Sequence, residues 1–248
     1  MKLSVVVPTF NCAPRLKNTL ESVRWADEII VVDMGSTDET LAIAKKHGAK
    51  IYKQIPKEGN FDQNRLFGME KATGDWILKL DSDEILSEKL QEEIKEFLQN
   101  DNRRFNGLNL RNNIFMLGRQ VEHGFVKPNS HELRLVRKGK WHYNPYRFHQ
   151  QITVDGKIGF LKNSYDHYNF STTFEFIVKM NHYTTVDAKY VKNKISYMSV
   201  IFAPLKTFFK LFFLQSGFRD GKIGFIVCSL YALYNPVEKI KVWEIQNL

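Results

Sequence analysis

Cysteine is almost absent from this chain: Cys12 and Cys228 are the two in 248 residues, far apart and outside any CxxC or Cys/His ligand spacing. A disulfide framework and a structural zinc site are therefore not expected, and a reducing compartment fits. Internal repeats and low-complexity tracts are missing as well. With 43% hydrophobic and 25% charged residues, the composition is that of a globular chain rather than a disordered, collagen-like or coiled-coil one. No clean bilayer span is read, because the apolar stretch 196–214 is interrupted by Pro204, Lys206 and Lys210. Met1 and Lys2 lead straight into a strand-like segment, so a secretory leader is not expected and a cytoplasmic location is. No Gly-rich phosphate loop follows that first strand, where the sequence runs PTFNCAPR, which argues against a nucleotidyltransferase.

Negative charge is scarce beyond the first hundred residues. Residues 1–102 hold 14 Lys/Arg and 18 Asp/Glu, residues 103–162 hold 12 and 3, and residues 163–248 hold 10 and 6, giving +9 overall. A basic middle on an acidic front is compatible with nucleic acid, an anionic membrane or a phosphate-bearing substrate. Nucleic acid is the weakest of these. Acidic clusters would repel a phosphate backbone, and neither a recognition helix nor an RNP pattern is present.

Up to residue 83 short β-branched runs alternate with helical periodicity. Strands are predicted at 3–7, 29–32, 50–54 and 76–80, and helices at 15–23, 37–47 and 61–71, with Ser87 capping a further helix over 88–98. That alternation predicts an α/β fold with a mostly parallel sheet covered on both faces. After about residue 102 the rhythm changes to strands at 107–117, 132–136 and 151–154, and from Thr172 onward the chain is helical and rich in aromatics. In a parallel sheet ligands gather at the carboxyl ends of strands. Three such ends finish in polar clusters: Pro8-Thr9-Phe10-Asn11, Asp33-Met34-Gly35-Ser36-Thr37-Asp38 and Asp81-Ser82-Asp83-Glu84. The Asp81/Asp83 spacing suits a hard divalent cation, and equally an acidic loop leading into the next helix. Asp38 reads equally as a pocket residue and as a helix-start charge, and Gly35 and Gly74 read as turn residues.

The order VVVPTFN, then IIVVDMGSTDET, then FDQNRLFGMEKATGDWILKLDSDE resembles the family 2 glycosyltransferases of the GT-A fold. The resemblance implies a nucleotide-diphosphate sugar donor, a UDP-sugar first among them, with Mg2+ or Mn2+ at its diphosphate. It implies that Pro8, Thr9 and Asn11 line the nucleotide pocket, that Asp33 faces base or ribose, and that Asn64 and Arg65 lie near the nucleotide. Asp81 would touch ribose or the metal's water, and Asp83 would be the metal ligand. The second half, through LRLVRKGKW, FHQQI, DHYNFST, KMNHYT and FLQSGFRDGKIG, is similar to bacterial enzymes that add glucose or related sugars to the lipopolysaccharide core. His167 of DHYNF would complete the metal site or donate to a phosphate. Where that branch carries His-Glu, this chain has His149-Gln150, and an amide cannot act as the general base. The base candidates left are His149, His131, Glu132 and Asp166. Arg134, Arg137 and Lys138 are read as holding phosphates of donor or acceptor.

The resulting expectation is a metal-dependent inverting hexosyltransferase acting on a lipopolysaccharide-core or other surface glycan, including a lipid-linked saccharide. The rival is a weak or inactive relative that binds nucleotide sugar or glycan. Residues 1–170 would form the catalytic domain, with a donor half (1–102) and an acceptor-side half (103–170). Residues 171–248 would form a helical extension, its segments 204–214 and 223–234 serving peripheral membrane contact, homodimer contact or core packing.

Overall fold

The computed structural model describes residues 1–55, 61–100, 103–126, 130–143, 152–191 and 193–248. Strands β1 (Leu3–Thr9) and β2 (Glu28–Asp33) are buried at every position, as β-branched runs must be when both sheet faces are covered. They pair in parallel, with β3 (Lys50–Lys53) outside β2 and β4 (Trp76–Lys79) on the far side of β1. The four carboxyl ends therefore share one edge.

Helices α1 (Ala13–Ser22), α2 (Thr40–Lys46), α3 (Phe61–Lys71) and α4 (Glu88–Gln99) follow the predicted pattern. Leu16 and Leu20 of α1 join Leu90, Ile94 and Leu98 of α4 over Val5, Val7, Trp76 and Leu78, while Met69 of α3 and Ala72 just beyond it cover Val6, Ile30, Val32 and Ile77 on the opposite face. Helix α3 runs so close to the sheet that a Cβ on Gly68 would overlap Val6 Cγ1. Ser87 caps α4 as predicted, accepting from the Leu90 N–H at 3.2 Å. Helix α2 starts three residues later than predicted. Asp38 takes the N–H groups of Thr40 at 3.0 Å and Ala13 at 3.1 Å, which ties the preceding loop to the start of α1.

Beyond β4 the pairing turns antiparallel, where the sequence rhythm changes. Strand β8 (His131–Arg137) lies against β4, and β6 (Gly107–Met116) against β8. The long β11 (Ile158–Phe170) follows β6, and β5 (Glu84–Leu86) closes the order β3-β2-β1-β4-β8-β6-β11-β5. Strand β7 (Arg119–Val121) pairs with β6, and β9 (Trp141–Tyr143) with β10 (Ile152–Val154). Neither β5 nor β11 was anticipated. Only three residues of β5 pair, inside an acidic motif, and β11 reads IGFLKNSYDHYNF, with few β-branched residues to announce a strand.

The chain divides into two compact units. The first comprises Met1–Asn112 and His131–His167, and the second Asn113–Ser130 and Tyr168–Leu248. The second holds α5 (Thr173–Ala188), α6 (Tyr197–Phe209), α7 (Gly221–Ala232) and α8 (Tyr234–Asn247), and its core joins Met116, Val121 and Phe170 of the strands to Phe176 and Met180 of α5 and Val227 of α7. Asp220 accepts the N–H groups of Glu122 at 3.0 Å and His123 at 2.9 Å and pairs with the His123 ring at 2.7 Å, joining the 122–123 loop to the start of α7.

At the amino edge of the first unit Glu28 is the fastener. Its carboxylate accepts from Ser4 Oγ at 2.5 Å, Thr73 N at 2.8 Å, Thr73 Oγ1 at 3.0 Å and Lys50 Nζ at 2.7 Å, so β1, β2, β3 and the loop into β4 meet at one side chain. Gly74 belongs to this joint: a Cβ there would lie 2.8 Å from Ser4 N and Oγ, so close approach requires the glycine, whereas Gly35, at φ +96°, does serve a turn. Burial acts to raise the Glu28 pKa, but the Lys50, Ser4 and Thr73 donors together outweigh it and hold the group down to about 2. A folded-state value below the ordinary 4.5 means the carboxylate stabilises the fold above that pH and loses its contribution as pH falls toward about 2. Glu28→Gln is expected to lower stability by about 1–3 kcal/mol at neutral pH. Urea unfolding of both proteins across the acid range should show the gap closing, and a constant gap would contradict this role.

Candidate active site

The carboxyl end of β4 runs into a tight turn at residues 81–84. The Glu84 N–H donates to the Asp81 carbonyl at 3.1 Å, and the Asp81 N–H donates to Glu84 Oε2 at 2.8 Å. From α1, Thr19 Oγ1 donates to the Ser82 carbonyl at 3.0 Å. Glu84 then begins β5, directly opposite His167 of β11.

Arg134 of β8 sits at the centre of this turn, 7% exposed. Its guanidinium pairs with Glu84 at 2.7 Å, Glu132 at 2.7 Å and Asp81 at 3.4 Å, and lies 5.3 Å from the centre of the Tyr165 ring. Arg65 of α3 pairs with Asp62 and, at 2.5 Å, with the other oxygen of Asp81. Burial works against an ionised Asp81, but the flanking Arg65 and Arg134 prevail and hold it well below the usual carboxylate range. Glu84, fully buried, goes the other way. Burial pushes it up to about 8 with help from Asp81 and Asp83, against Arg134. Lys79 comes down to about 7, first from burial and then from the like charges of Arg134 and Arg65.

Asp83 and His167 form a separate pair at the turn. Asp83 Oδ1 lies 3.6 Å from His167 Nε2, its Oδ2 lies 3.9 Å from Arg15, and His167 Nδ1 lies 3.8 Å from Glu84. Among the described residues no three His, Cys, Asp or Glu side chains gather into a ready metal cage. The Asp83–His167 pair supplies one hard oxygen and one imidazole nitrogen, a donor set that fits a divalent cation completing its shell with substrate oxygens and water. Asp81 does not fit that role as expected from sequence, because each of its oxygens faces a guanidinium.

The ends of β1 and β2 form a second group. Asp33, fully buried, accepts from Gly35 N at 3.0 Å, Ser36 N at 3.0 Å, Ser36 Oγ at 2.5 Å and Thr9 Oγ1 at 3.2 Å. Its carboxylate is thus engaged in shaping the loop after β2, where contact with base or ribose was expected. Asn11, in the left-handed region at φ 44°, accepts the Thr37 N–H at 2.9 Å and donates its own N–H to Ser36 Oγ at 2.9 Å. Pro8 is buried in β1 opposite Val32. Asn64 donates to the Gln54 carbonyl at 2.7 Å, and among the described residues Asn64 Oδ1 and Gln54 Oε1 are buried without a hydrogen-bond partner.

Other residues singled out in the sequence fall elsewhere. Antiparallel pairing sets Arg137 opposite Trp76, at the start of β4, so Arg137 and Lys138 lie at the sheet edge away from Asp81. Arg137 donates to Asn106 Oδ1 at 3.1 Å and the Phe105 carbonyl at 3.2 Å and stacks over Trp76, which gives it a packing role in place of the expected phosphate contact. Strand alternation turns Asp166 to the face opposite His167. His131 is exposed and packs edge-on against Phe160. His149 and Gln150 lie outside the described residues. Of the base candidates, Glu132 is joined to the cluster through Arg134, and it also accepts from Asn112 at 3.2 Å. Lys79 and Arg15 were not singled out, and Glu84 was read only as part of the acidic cluster after β4. The one legible signal was Lys79, a charge interrupting the apolar strand WILKL.

Removing Arg134 would leave Asp81, Glu84 and Glu132 facing one another without their shared counter-ion. Arg134→Met is expected to cost on the order of 3–5 kcal/mol, and Lys138→Ala less than about 0.5 kcal/mol. Chemical denaturation checks both, and equal effects would contradict the assignment.

Comparison with known proteins shows the family. The model of "Glycosyl transferase family 2" matches residues 4–170. An uncharacterized glycosyltransferase of Rickettsia felis is 31% identical over 257 residues, covering 98% of this chain and 90% of the relative. The lipopolysaccharide core biosynthesis glycosyltransferase LpsC of Rhizobium meliloti is 27% identical over 255 residues, covering 98% and 93%. The crystal structure of S. aureus TarS 1-349 in complex with UDP superposes with a TM-score of 0.52 at 18% identity, covering 99% of this chain and 91% of that one, a likeness of fold. With its mixed α/β sheet, its strand-end acidic turn and a family match over most of its length, the chain belongs to the family 2 glycosyltransferases.

Proposed function

We propose that the protein is an inverting hexosyltransferase using a UDP-sugar and a divalent cation, Mg2+ or Mn2+, to extend a saccharide of the lipopolysaccharide-core or lipid-linked kind at the inner face of the cytoplasmic membrane. The observation that carries this reading is the division of labour at residues 81–84. Asp81 is neutralised by Arg65 and Arg134, while Asp83 stands beside His167 as a donor pair. Asp83 and His167 would hold the cation, which when bound offsets the diphosphate charge as the nucleotide departs. Residues 103–170 would carry the acceptor side, and residues 171–248 the helical extension.

In an inverting transfer the acceptor hydroxyl attacks the anomeric carbon opposite the leaving diphosphate while a base takes its proton. Glu132 is assigned that base: its side chain is half exposed and is positioned by Arg134 at 2.7 Å. The relationship to LpsC, with its printed role in lipopolysaccharide core biosynthesis, supports the acceptor class. A second reading, a nucleotide-sugar or glycan binder with little turnover, rests on Gln150, an amide where the resembling enzymes carry a carboxylate.

Calorimetric titration with UDP, with and without Mn2+, tests the donor site. Metal-dependent binding should be lost in Asp83→Ala and kept in Lys138→Ala, and absence of binding by any nucleoside diphosphate would overturn the reading. Once a donor is identified, Glu132→Gln is expected to lower kcat by roughly 100-fold or more with little change in donor KM. Unchanged turnover would remove Glu132 from the mechanism.

A further inference from the structure

A helix on the surface of a soluble protein turns its apolar stripe inward. Helix α6 and the π-helical turn Lys210–Leu214 that continues it do the reverse. Tyr197, Ile201, Leu205, Phe209 and Phe213 recur every four residues and are exposed by 77%, 60%, 66%, 55% and 50%. Met198, Phe202 and Leu214 form the next row and are likewise exposed. The face turned toward α8 is partly polar: Asn235 donates to Thr207 Oγ1 at 2.7 Å, and Lys239 donates to Ser199 Oγ at 3.4 Å.

The apolar surface continues beyond α6. Phe212 lies 5.1 Å from Phe213, 6.3 Å from Phe218 and 5.8 Å from Phe225, ring centre to ring centre, and Phe218 and Phe225 are each about half exposed. This contiguous aromatic surface spans the end of α6, its π turn and the first turns of α7, far more than the scattered single apolar residues of an ordinary surface. The exposed charges carried by the segment have one sign. Lys206 and Lys210 share the second exposed row of α6, and Arg219 and Lys222 are exposed beside Phe218 and Phe225. The one acidic residue between 195 and 233 is Asp220, and it is occupied by His123 and the Glu122 and His123 N–H groups.

We propose that this face of α6, its π turn and the start of α7 is a docking surface for an anionic lipid bilayer, with α6 lying along the interface. Aromatic rings would enter the boundary between headgroups and acyl chains while the four cations meet lipid phosphates, the combination that interfacial helices use. Among the described residues Tyr197–Leu214 is the segment long and apolar enough to cross a bilayer. Lying in the plane fits better, because Pro204, Lys206 and Lys210 sit within the segment and its other face is hydrogen-bonded to α8. The inference goes beyond the proposed reaction and stands without it.

Co-sedimentation of the full chain with vesicles of phosphatidylcholine alone, or mixed with phosphatidylglycerol, tests it. Binding is expected to the mixed vesicles and to weaken with salt. It should fall on the order of tenfold or more in Lys206→Glu/Lys210→Glu and be lost in Phe209→Glu/Phe213→Glu. Both variants change exposed side chains, and unaltered circular dichroism and nucleotide binding would show that fold and donor site survive. Three results would overturn the proposal. The first is absence of vesicle binding, or binding indifferent to both variants. The second is a wild-type dimer in light scattering that Phe209→Glu/Phe213→Glu converts to monomer without any vesicle affinity, which would assign the face to a second copy. The third is bilayer association that resists alkaline extraction, which would make Tyr197–Leu214 a span.

Discussion

A buried guanidinium organises the acidic end of the sheet. Arg134 comes from β8, yet its partners come from the turn after β4, from the first residue of β5 and from its own strand. Taking such a charge out of water is costly unless every partner is in place. The register of β8 against β4 and the placement of β5 are therefore held by the same group that sets the electrostatics of the turn. Arg65 completes the arrangement from α3. Two arginines neutralise Asp81, while Asp83 lies beside His167 and Arg15. The two aspartates of the DSDE segment thus meet different partners.

The first half of the fold was legible because its physics is local. Continuous β-branched runs such as LSVVVPT can be nothing but buried strands, and Ser87 announced α4 by its capping chemistry. The antiparallel half was less so. A strand such as β11 is specified by its partners β6 and β5 more than by its own composition, and the joining of 113–130 to the C-terminal helices depends on contacts between residues far apart in sequence.

The candidate site divides in the same way. Asp81, Asp83 and His167 were legible as polar residues at strand ends or in motifs. Which of the two aspartates faces the guanidinium pair depends on Arg65 and Arg134, and that required the pairing of β8 with β4. The run RLVRK shows why spacing alone misleads: three residues along β8, past an irregularity in its pairing with β6, carry the side chain toward the other edge of the sheet, so Arg134 reaches the acidic turn while Arg137 packs over Trp76. Asp33 is a related case, a motif carboxylate consumed by the loop it builds.

The central claim is that Asp83 and His167 act together as ligands while Asp81 does not. Pulsed electron paramagnetic resonance of Mn2+ added with UDP tests it most directly. The expected spectrum carries nitrogen coupling from a bound imidazole, lost in His167→Gln. Mn2+ bound without nitrogen coupling in the wild type, or with coupling that persists in His167→Gln, would contradict it.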